Sequence, residues 1–325
     1  MSDSFATLNF LNPVQDVLLS VEEQLQAQAS DYHPDLEVAV RHLFSSGGKR
    51  IRPALALLTG SMLGADQDRL VKLAAAIELL HTATLVHDDL IDGAFLRRGI
   101  ATLNAQWSPA ATVLTGDYIF ARAAKLAAET DSVSVMRIFA DTLAVIVNGE
   151  LTQMFSSHGV AERSHYDRRI YAKTASMFEL ATTAATLLSP VEDNFVDLSR
   201  SFGYEIGMAF QIVDDVLDFT GEQETVGKPV ASDFRQGLIT LPVIYYLEEY
   251  PDDPDILAVI DGKYYNDVLI DRVVASIRMS GAIQRSLEEA NRYVDQGVGY
   301  LAEMPGCQER QALEELSAYI VRRQI

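Results

Sequence analysis

Two copies of one pattern, Asp-Asp-x-x-Asp, each set in an apolar, helix-compatible run, limit what this chain can become. Asp88-Asp89-Leu90-Ile91-Asp92 closes the run LVHDDLID, and Asp214-Asp215-Val216-Leu217-Asp218 lies within AFQIVDDVLDF. Residues four apart share a helix face, with Cβ atoms about 6 Å apart. Asp88 therefore pairs with Asp92 and Asp214 with Asp218, while Asp89 and Asp215 turn about a quarter-turn aside. Carboxylates walled by Leu, Val and Ile repel one another and lose solvation unless a cation compensates. One such cluster reads as a solvated acidic face; two in near-identical apolar settings read as sites for a hard cation. Mg²⁺ suits them, because it takes a carboxylate or two and shares its remaining positions with water and substrate phosphates.

The rest of the sequence predicts an all-α fold. Helical periodicity covers 13–30, 35–45, 53–63, 66–92, 109–129, 131–156, 164–188 and 191–219, then 240–250, 253–260, 264–280, 282–304 and 308–323. Asn12-Pro13 and Ser108-Pro109 each read as an N-cap followed by proline at the first helical position. Strand-like alternation is nearly absent. Several middle helices, such as LAAAIELLHTATLV, are apolar on most faces and form an expected inner layer. With 48% hydrophobic residues in 325 and no Ser-, Gly- or Pro-rich linker, one domain over 1–325 is expected.

The net charge of −20 argues against nucleic acid as a partner. The single cysteine, Cys307, excludes an intrachain disulfide framework and fits a reducing compartment. No basic, apolar leader opens the sequence MSDSFATLNF, and runs such as LAVIV at 143–147 are short for a bilayer. A cytoplasmic protein is the expectation.

An acidic chain that handles an anionic diphosphate needs its few cations gathered at the site. Three groups stand out: Gly47-Gly48-Lys49-Arg50-Ile51-Arg52-Pro53, Arg97-Arg98-Gly99 and Gly227-Lys228-Pro229. The first combines a flexible backbone, several donors and a helix start, as a diphosphate cradle requires. It is not a nucleotide P-loop, since no G-x-x-x-x-G-K-[ST] occurs. His81 lies seven residues before Asp88, about 20° from it around a helix, and Gln211 has the same relation to Asp218. Gly207, likewise placed before Asp214, allows close backbone approach.

In order along the chain stand GGKRIRP (47–53), HTATLVHDDLID (81–92), LRRG (96–99), GDYIFARA (116–123) and NGELTQ (148–153). YAKTASMFE (171–179), GMAFQIVDDVLDF (207–219) and GKPVASD (227–233) follow. With this set the chain resembles the trans-isoprenyl diphosphate synthases over nearly its full length. The resemblance implies an isoprenoid-synthase-type helical bundle around a central substrate cavity, and head-to-tail addition of isopentenyl diphosphate to an allylic diphosphate. It implies a trio of Mg²⁺ ions on Asp88, Asp92 and Asp214, with Asp218 in support. Arg97, Lys173 and Lys228 would grip the allylic diphosphate, and Lys49, Arg52, His81 and Arg98 the isopentenyl diphosphate. Thr174 and Gln211 would line the space where the allylic cation develops. It further implies a homodimer, for which 109–129 and 131–156 are the expected contact helices, and a transient membrane contact as an apolar product leaves. Leu238 departs from the family, standing in GLITLP where many members carry lysine, so one diphosphate contact is expected to be missing. Ala101 stands where proline is common.

Product length is expected to follow from the helix before Asp88. Thr84 lies one turn below Asp88 with Ala83 beside it, and in the resembled family bulky aromatic residues at these positions stop growth early. Here both are small, so the floor is expected deeper, at Leu80 or Ile77, and the product longer than five isoprene units. A geranylgeranyl-length enzyme is the main alternative. A class I terpene cyclase is disfavoured by the second Asp-Asp-x-x-Asp and by the GGKRIRP segment. A non-catalytic subunit is disfavoured by retention of both aspartate sets.

Overall fold

The computed structural model describes residues 8–29, 34–45, 48–97, 99–155, 162–221, 230–260 and 267–323. They are helical almost throughout. A 3-10 turn, Asn9–Val14, runs into α1 (Gln15–Ala27), followed by α2 (Pro34–Ser45), α3 (Ile51–Met62) and α4 (Gln67–Ile91). After a small hairpin come α5 (Leu103–Gln106), α6 (Pro109–Ala128) and α7 (Val133–Phe155). Then α8 (Arg163–Ile170) passes through a π-helical turn, Tyr171–Ala175, into α9 (Ser176–Leu187) and α10 (Asp193–Thr220). The chain ends with α11 (Ser232–Arg235), α12 (Leu241–Glu249), α13 (Pro254–Ile260), α14 (Asp267–Met279), α15 (Ala282–Ala302) and α16 (Gln308–Arg322).

Within the described residues the expected helices are present, residues 30, 156 and 264–266 lying outside them, and the short α5 and α11 are additions; there are further local differences. Pro13 lies inside the 3-10 turn rather than opening an α-helix. The segment expected as one helix over 164–188 is interrupted by the π-helical turn. Leu96–Arg97 and Ile100–Ala101 pair as an antiparallel hairpin, two residues per strand and too short to show alternation. Finally, α4 is 25 residues long and apolar enough to cross a bilayer by length and composition, which short uninterrupted apolar runs did not reveal. Two-thirds of its most apolar window is buried in the protein.

These elements form two compact units, the first from Met1–Thr142, Met177–Ser201 and Tyr300–Leu316. In it α4 packs on α6, α3 and α1. Asp66 caps α4 by accepting from the backbone N of Arg69 at 3.0 Å. Small residues along α4, Ala74 to Ala76 and Ala83, let its neighbours approach, and all are fully buried. Gly116 of α6 sits against His87 of α4 so closely that a Cβ there would lie 2.1 Å from His87 Nε2. As expected, Ser108 caps α6, its Oγ accepting from Ala111 N at 3.3 Å. Arg50, in the left-handed region at φ 48°, precedes α3 and is buried. It donates to Glu22 of α1 and, at 2.7 Å, to Glu78 of α4, so one guanidinium ties three helices.

The second unit comprises Leu143–Ser176, Phe202–Gly299 and Ser317–Ile325. Its core joins Met208, Ile212, Val213 and Phe219 of α10 to Tyr166 and Ile170 of α8, Leu241 to Tyr246 of α12, and Val273 and Ile277 of α14. Burial of such aliphatic and aromatic side chains stabilises by about 1.5–3 kcal/mol each. Gly297 of α15 lets Ile206 of α10 come close, 3.0 Å from where a Cβ would stand. Glu289 of α15 receives Arg163 of α8 and Tyr245 of α12, a buried polar knot that fixes three elements.

Candidate active site

The first aspartate cluster closes α4. Asp88 is half-buried, and Asp92, at the helix C-cap, is exposed. Carbonyls at this helix end already carry partial negative charge, which favours a cation there. Asp89, a quarter-turn aside, is buried and has a different partner. The hairpin after α4 brings Arg97 back onto it: Nε lies 3.0 and 3.1 Å from the two carboxylate oxygens, and Nη2 lies 2.8 Å from Oδ1. Arg97, assigned from sequence to a diphosphate, is thus held in part by the middle aspartate. Arg98 lies outside the described residues.

The same unit carries the GGKRIRP segment. Because Arg50 bonds Glu78, one turn before His81, the stretch Lys49 to Arg52 is anchored beside the α4 face that leads to Asp88. Lys49 is exposed, and the Arg52 guanidinium lies over the Phe178 ring at 5.1 Å. Of three cations that looked equivalent in sequence, Arg50 is a structural one. His81 is half-buried, and its carbonyl accepts from Thr84 Oγ1 at 2.8 Å. Leu80 and Ala83 are fully buried and Thr84 nearly so.

The second cluster lies on α10, and all three of its carboxylates accept from protein donors. Asp214 accepts from Arg323 Nη2 at 2.6 Å. The two Asp218 oxygens accept from the backbone N of Ser232 and Asp233 at 3.0 and 3.1 Å, which fixes the start of α11. Asp215 is buried, receiving the Tyr166 hydroxyl on Oδ2 at 2.8 Å and Gln211 Nε2 on Oδ1 at 2.8 Å. Burial first, and then the charge of Asp233, push the Asp215 carboxyl up to about 7, against the hydrogen bonds from Gln211 and Tyr166. Gln211 in turn accepts on Oε1 from Thr174 Oγ1 at 2.6 Å. Sequence spacing aligned Gln211 with Asp218; its hydrogen bond goes to Asp215, one turn nearer.

Thr174 owes its position to the π-helical turn, which leaves Lys173 exposed and Thr174 buried. Such single turns recur at functional sites because they rotate neighbouring side chains off the α-helical register. Lys228 lies outside the described residues. Leu238 follows α11, its backbone N bonded to the Asp233 carbonyl at 2.9 Å.

Among the described residues, no three His, Cys, Asp or Glu side chains gather into a ready-made metal cage. The donor set still fits Mg²⁺. In each motif the middle aspartate is buried and held by protein side chains, and the outer pair supplies hard oxygens four residues apart, which suits Mg²⁺ because it uses few carboxylates where phosphates complete its shell. Tyr166 and Arg323 were not singled out in the sequence. Tyr166 stands eight residues before Thr174, a spacing whose meaning depends on an unforeseen π turn, and Arg323 has no motif around it.

Comparison with known proteins places this geometry among relatives. The polyprenyl synthetase family profile matches residues 33–276. A heptaprenyl diphosphate synthase component 2 from Geobacillus stearothermophilus is 38% identical over 312 residues, covering 95% of this chain and 97% of the relative. A crystal structure of a polyprenyl synthase from Caulobacter crescentus CB15, complexed with calcium and isoprenyl diphosphate, superimposes with a TM-score of 0.92 at 34% identity, covering 97% of each chain. A heptaprenyl diphosphate synthase from Staphylococcus aureus gives 0.90 at 31% identity, covering 96% of this chain and 99% of that one.

Proposed function

The chain belongs to the polyprenyl synthetase family, and within it we propose a prenyltransferase that adds isopentenyl diphosphate head-to-tail to farnesyl or geranylgeranyl diphosphate. The product is a long-chain all-trans-polyprenyl diphosphate. The observation that carries this reading is the likeness over nearly the whole chain to polyprenyl synthases, together with two motifs whose outer aspartates keep the four-residue spacing a shared cation needs. Asp89 and Asp215 are buried and held by protein side chains.

Asp88, Asp92 and Asp214, with Asp218 in support, would hold Mg²⁺, three ions by family resemblance, and the bound ions would supply charge to a departing diphosphate. Arg97, Lys173 and Lys228 add positive charge on the allylic side. Lys49, Arg52, His81 and Arg98 hold the isopentenyl diphosphate. Thr174 and Gln211 present oxygen to the allylic carbon as its C1–O bond breaks and the electron pair leaves with the diphosphate. The alkene then forms the new bond to C1, and the proton lost from the adduct passes to the released diphosphate. No nucleophilic side chain is needed.

The same reading extends to assembly and setting. A single domain is supported by the unit boundaries, which fall within α7, α9, α10, α15 and α16 rather than in linkers. A homodimer is supported by exposed Val113 and Leu114 on α6 and Val147, Leu151, Met154 and Phe155 on α7. We place the protein in the cytoplasm, touching membrane transiently as product leaves. The relative's name, component 2, favours a second reading in which a separate polypeptide completes the enzyme.

Incorporation of labelled isopentenyl diphosphate into an extractable lipid by the purified chain tests the proposal. Mg²⁺-dependent incorporation supports the first reading. Incorporation only after a second component is added supports the second, and none in either case refutes both.

A further inference from the structure

The four side chains Thr174, Gln211, Asp215 and Tyr166 form one continuous hydrogen-bonded line within the second unit. Its direction is set by chemistry. Asp215 accepts on both oxygens, and the Gln211 amide turns its NH₂ toward Asp215 and its Oε1 toward Thr174. Thr174 then has one option, to donate its hydrogen to Gln211. Its own oxygen lone pairs are left over. The Tyr166 hydroxyl, donating to the other Asp215 oxygen, fixes the carboxylate plane and with it the amide.

We infer that Tyr166 and Asp215 are positioning residues for prenyl transfer: acting through Gln211, they keep the Thr174 hydrogen turned away and its lone pairs available to the allylic carbon that becomes cationic. This rests on the proposed function, which puts Thr174 and Gln211 beside that carbon. Hydrogen bonds in such a line polarise one another, so the orientation that Asp215 and Tyr166 impose on Gln211 is felt at the Thr174 oxygen. Dipoles fixed before reaction need no reorganisation when charge develops, which is where electrostatic catalysis gains most. The line also accounts for a carboxylate at the second motif position. It is buried, with Tyr166 on one oxygen and Gln211 on the other.

The inference separates ground state from transition state. Asp215→Asn can offer its own NH₂ to Gln211, which inverts the amide and forces Thr174 to accept instead of donate. Tyr166→Phe loosens the carboxylate without inverting anything. Both should lower kcat, Asp215→Asn by roughly 100-fold and Tyr166→Phe by roughly 10-fold, with KM for both diphosphates within about threefold of wild type. Two unreactive probes make the test sharper. One is an allylic thiolodiphosphate, whose tail is neutral; the other is an allylic diphosphate with a protonated nitrogen at C3, which mimics the cation.

Calorimetry with Mg²⁺ should show the nitrogen-bearing probe bound about 10-fold or more weakly by Asp215→Asn, and the thiolodiphosphate bound as by wild type. Equal weakening of both probes, or unchanged kcat in either folded variant, overturns the inference. If Asp215→Asn does not fold, Tyr166→Phe, which removes one hydroxyl, carries the same comparison. A wild-type protein that binds neither probe refutes the proposed function itself, a different outcome from variants that lose both equally.

Discussion

Arg323, just beyond α16, donates from Nη2 to Oδ1 of Asp214 at 2.6 Å. The same nitrogen reaches the Phe210 carbonyl at 2.8 Å, and the guanidinium lies 3.7 Å over the Phe210 ring. Phe210 and Asp214 are one turn apart on α10, so a residue from the end of the chain braces the helix face assigned to metal. Arginine supplies there the positive charge that the carboxylate needs when no divalent ion is bound.

Removing that charge should make the metal matter more. Arg323→Ala should lower the melting temperature without Mg²⁺, and Mg²⁺ should then raise it by more than it raises that of the wild type. Identical increments in the two proteins would show that Arg323 and the ion do not share Asp214.

The middle and outer aspartates should behave oppositely on substitution. Asp88→Ala should cost several orders of magnitude in turnover while the fold persists, since a repelling carboxylate is removed. Asp89→Ala should destabilise by about 1–3 kcal/mol, because it strips Arg97 of a buried partner. Thermal denaturation and steady-state rates on the same two preparations decide it. A rate-dead but fully stable Asp89→Ala would contradict the division of roles.

Much of this was legible in the sequence, and the rest was hidden for physical reasons. Helices follow from apolar periodicity and caps such as Ser108, and the outer aspartates follow from four-residue spacing. The fate of Asp89 and Asp215 could not be read, because Arg97 and Tyr166 lie eight and forty-nine residues away along the chain, and Gln211, four residues from Asp215, also aligned with Asp218. Arg50 looked like its neighbours Lys49 and Arg52; only its left-handed backbone, set by packing, turns it inward to Glu22 and Glu78. The π turn that buries Thr174 leaves no periodic mark, since one extra residue in a helix does not change its composition.

Stability should depend on pH through Glu205. It lies on α10 against Gly297 of α15, and its Oε2 finds no hydrogen-bond partner among the described residues. Burial alone pushes its carboxyl up to about 7, from 4.5. The folded state therefore holds the proton more tightly, so stability is full below about 4.5 and falls as pH rises to about 7. Glu205→Gln should raise stability at pH 8 by on the order of 1 kcal/mol and leave it unchanged at pH 4. Equal effects at both values would remove the carboxylate as the cause.

Ala83 tests the length ruler. It is fully buried on α4, as are Leu80 and Ile77 one and two turns earlier. Ala83→Tyr should shorten the product while turnover continues, at a cost in stability of about 1–3 kcal/mol. A destabilised variant whose product length is unchanged would mean that Ala83 only packs against a neighbouring helix.

The central claim is that this chain is a long-chain prenyltransferase, and mass spectrometry of its product tests it most directly. Purified protein with farnesyl diphosphate, excess isopentenyl diphosphate and Mg²⁺ should give polyprenyl diphosphates of more than five isoprene units, and chelation should abolish them. A product that stops at geranylgeranyl diphosphate, or no product with Mg²⁺ present, would contradict the account.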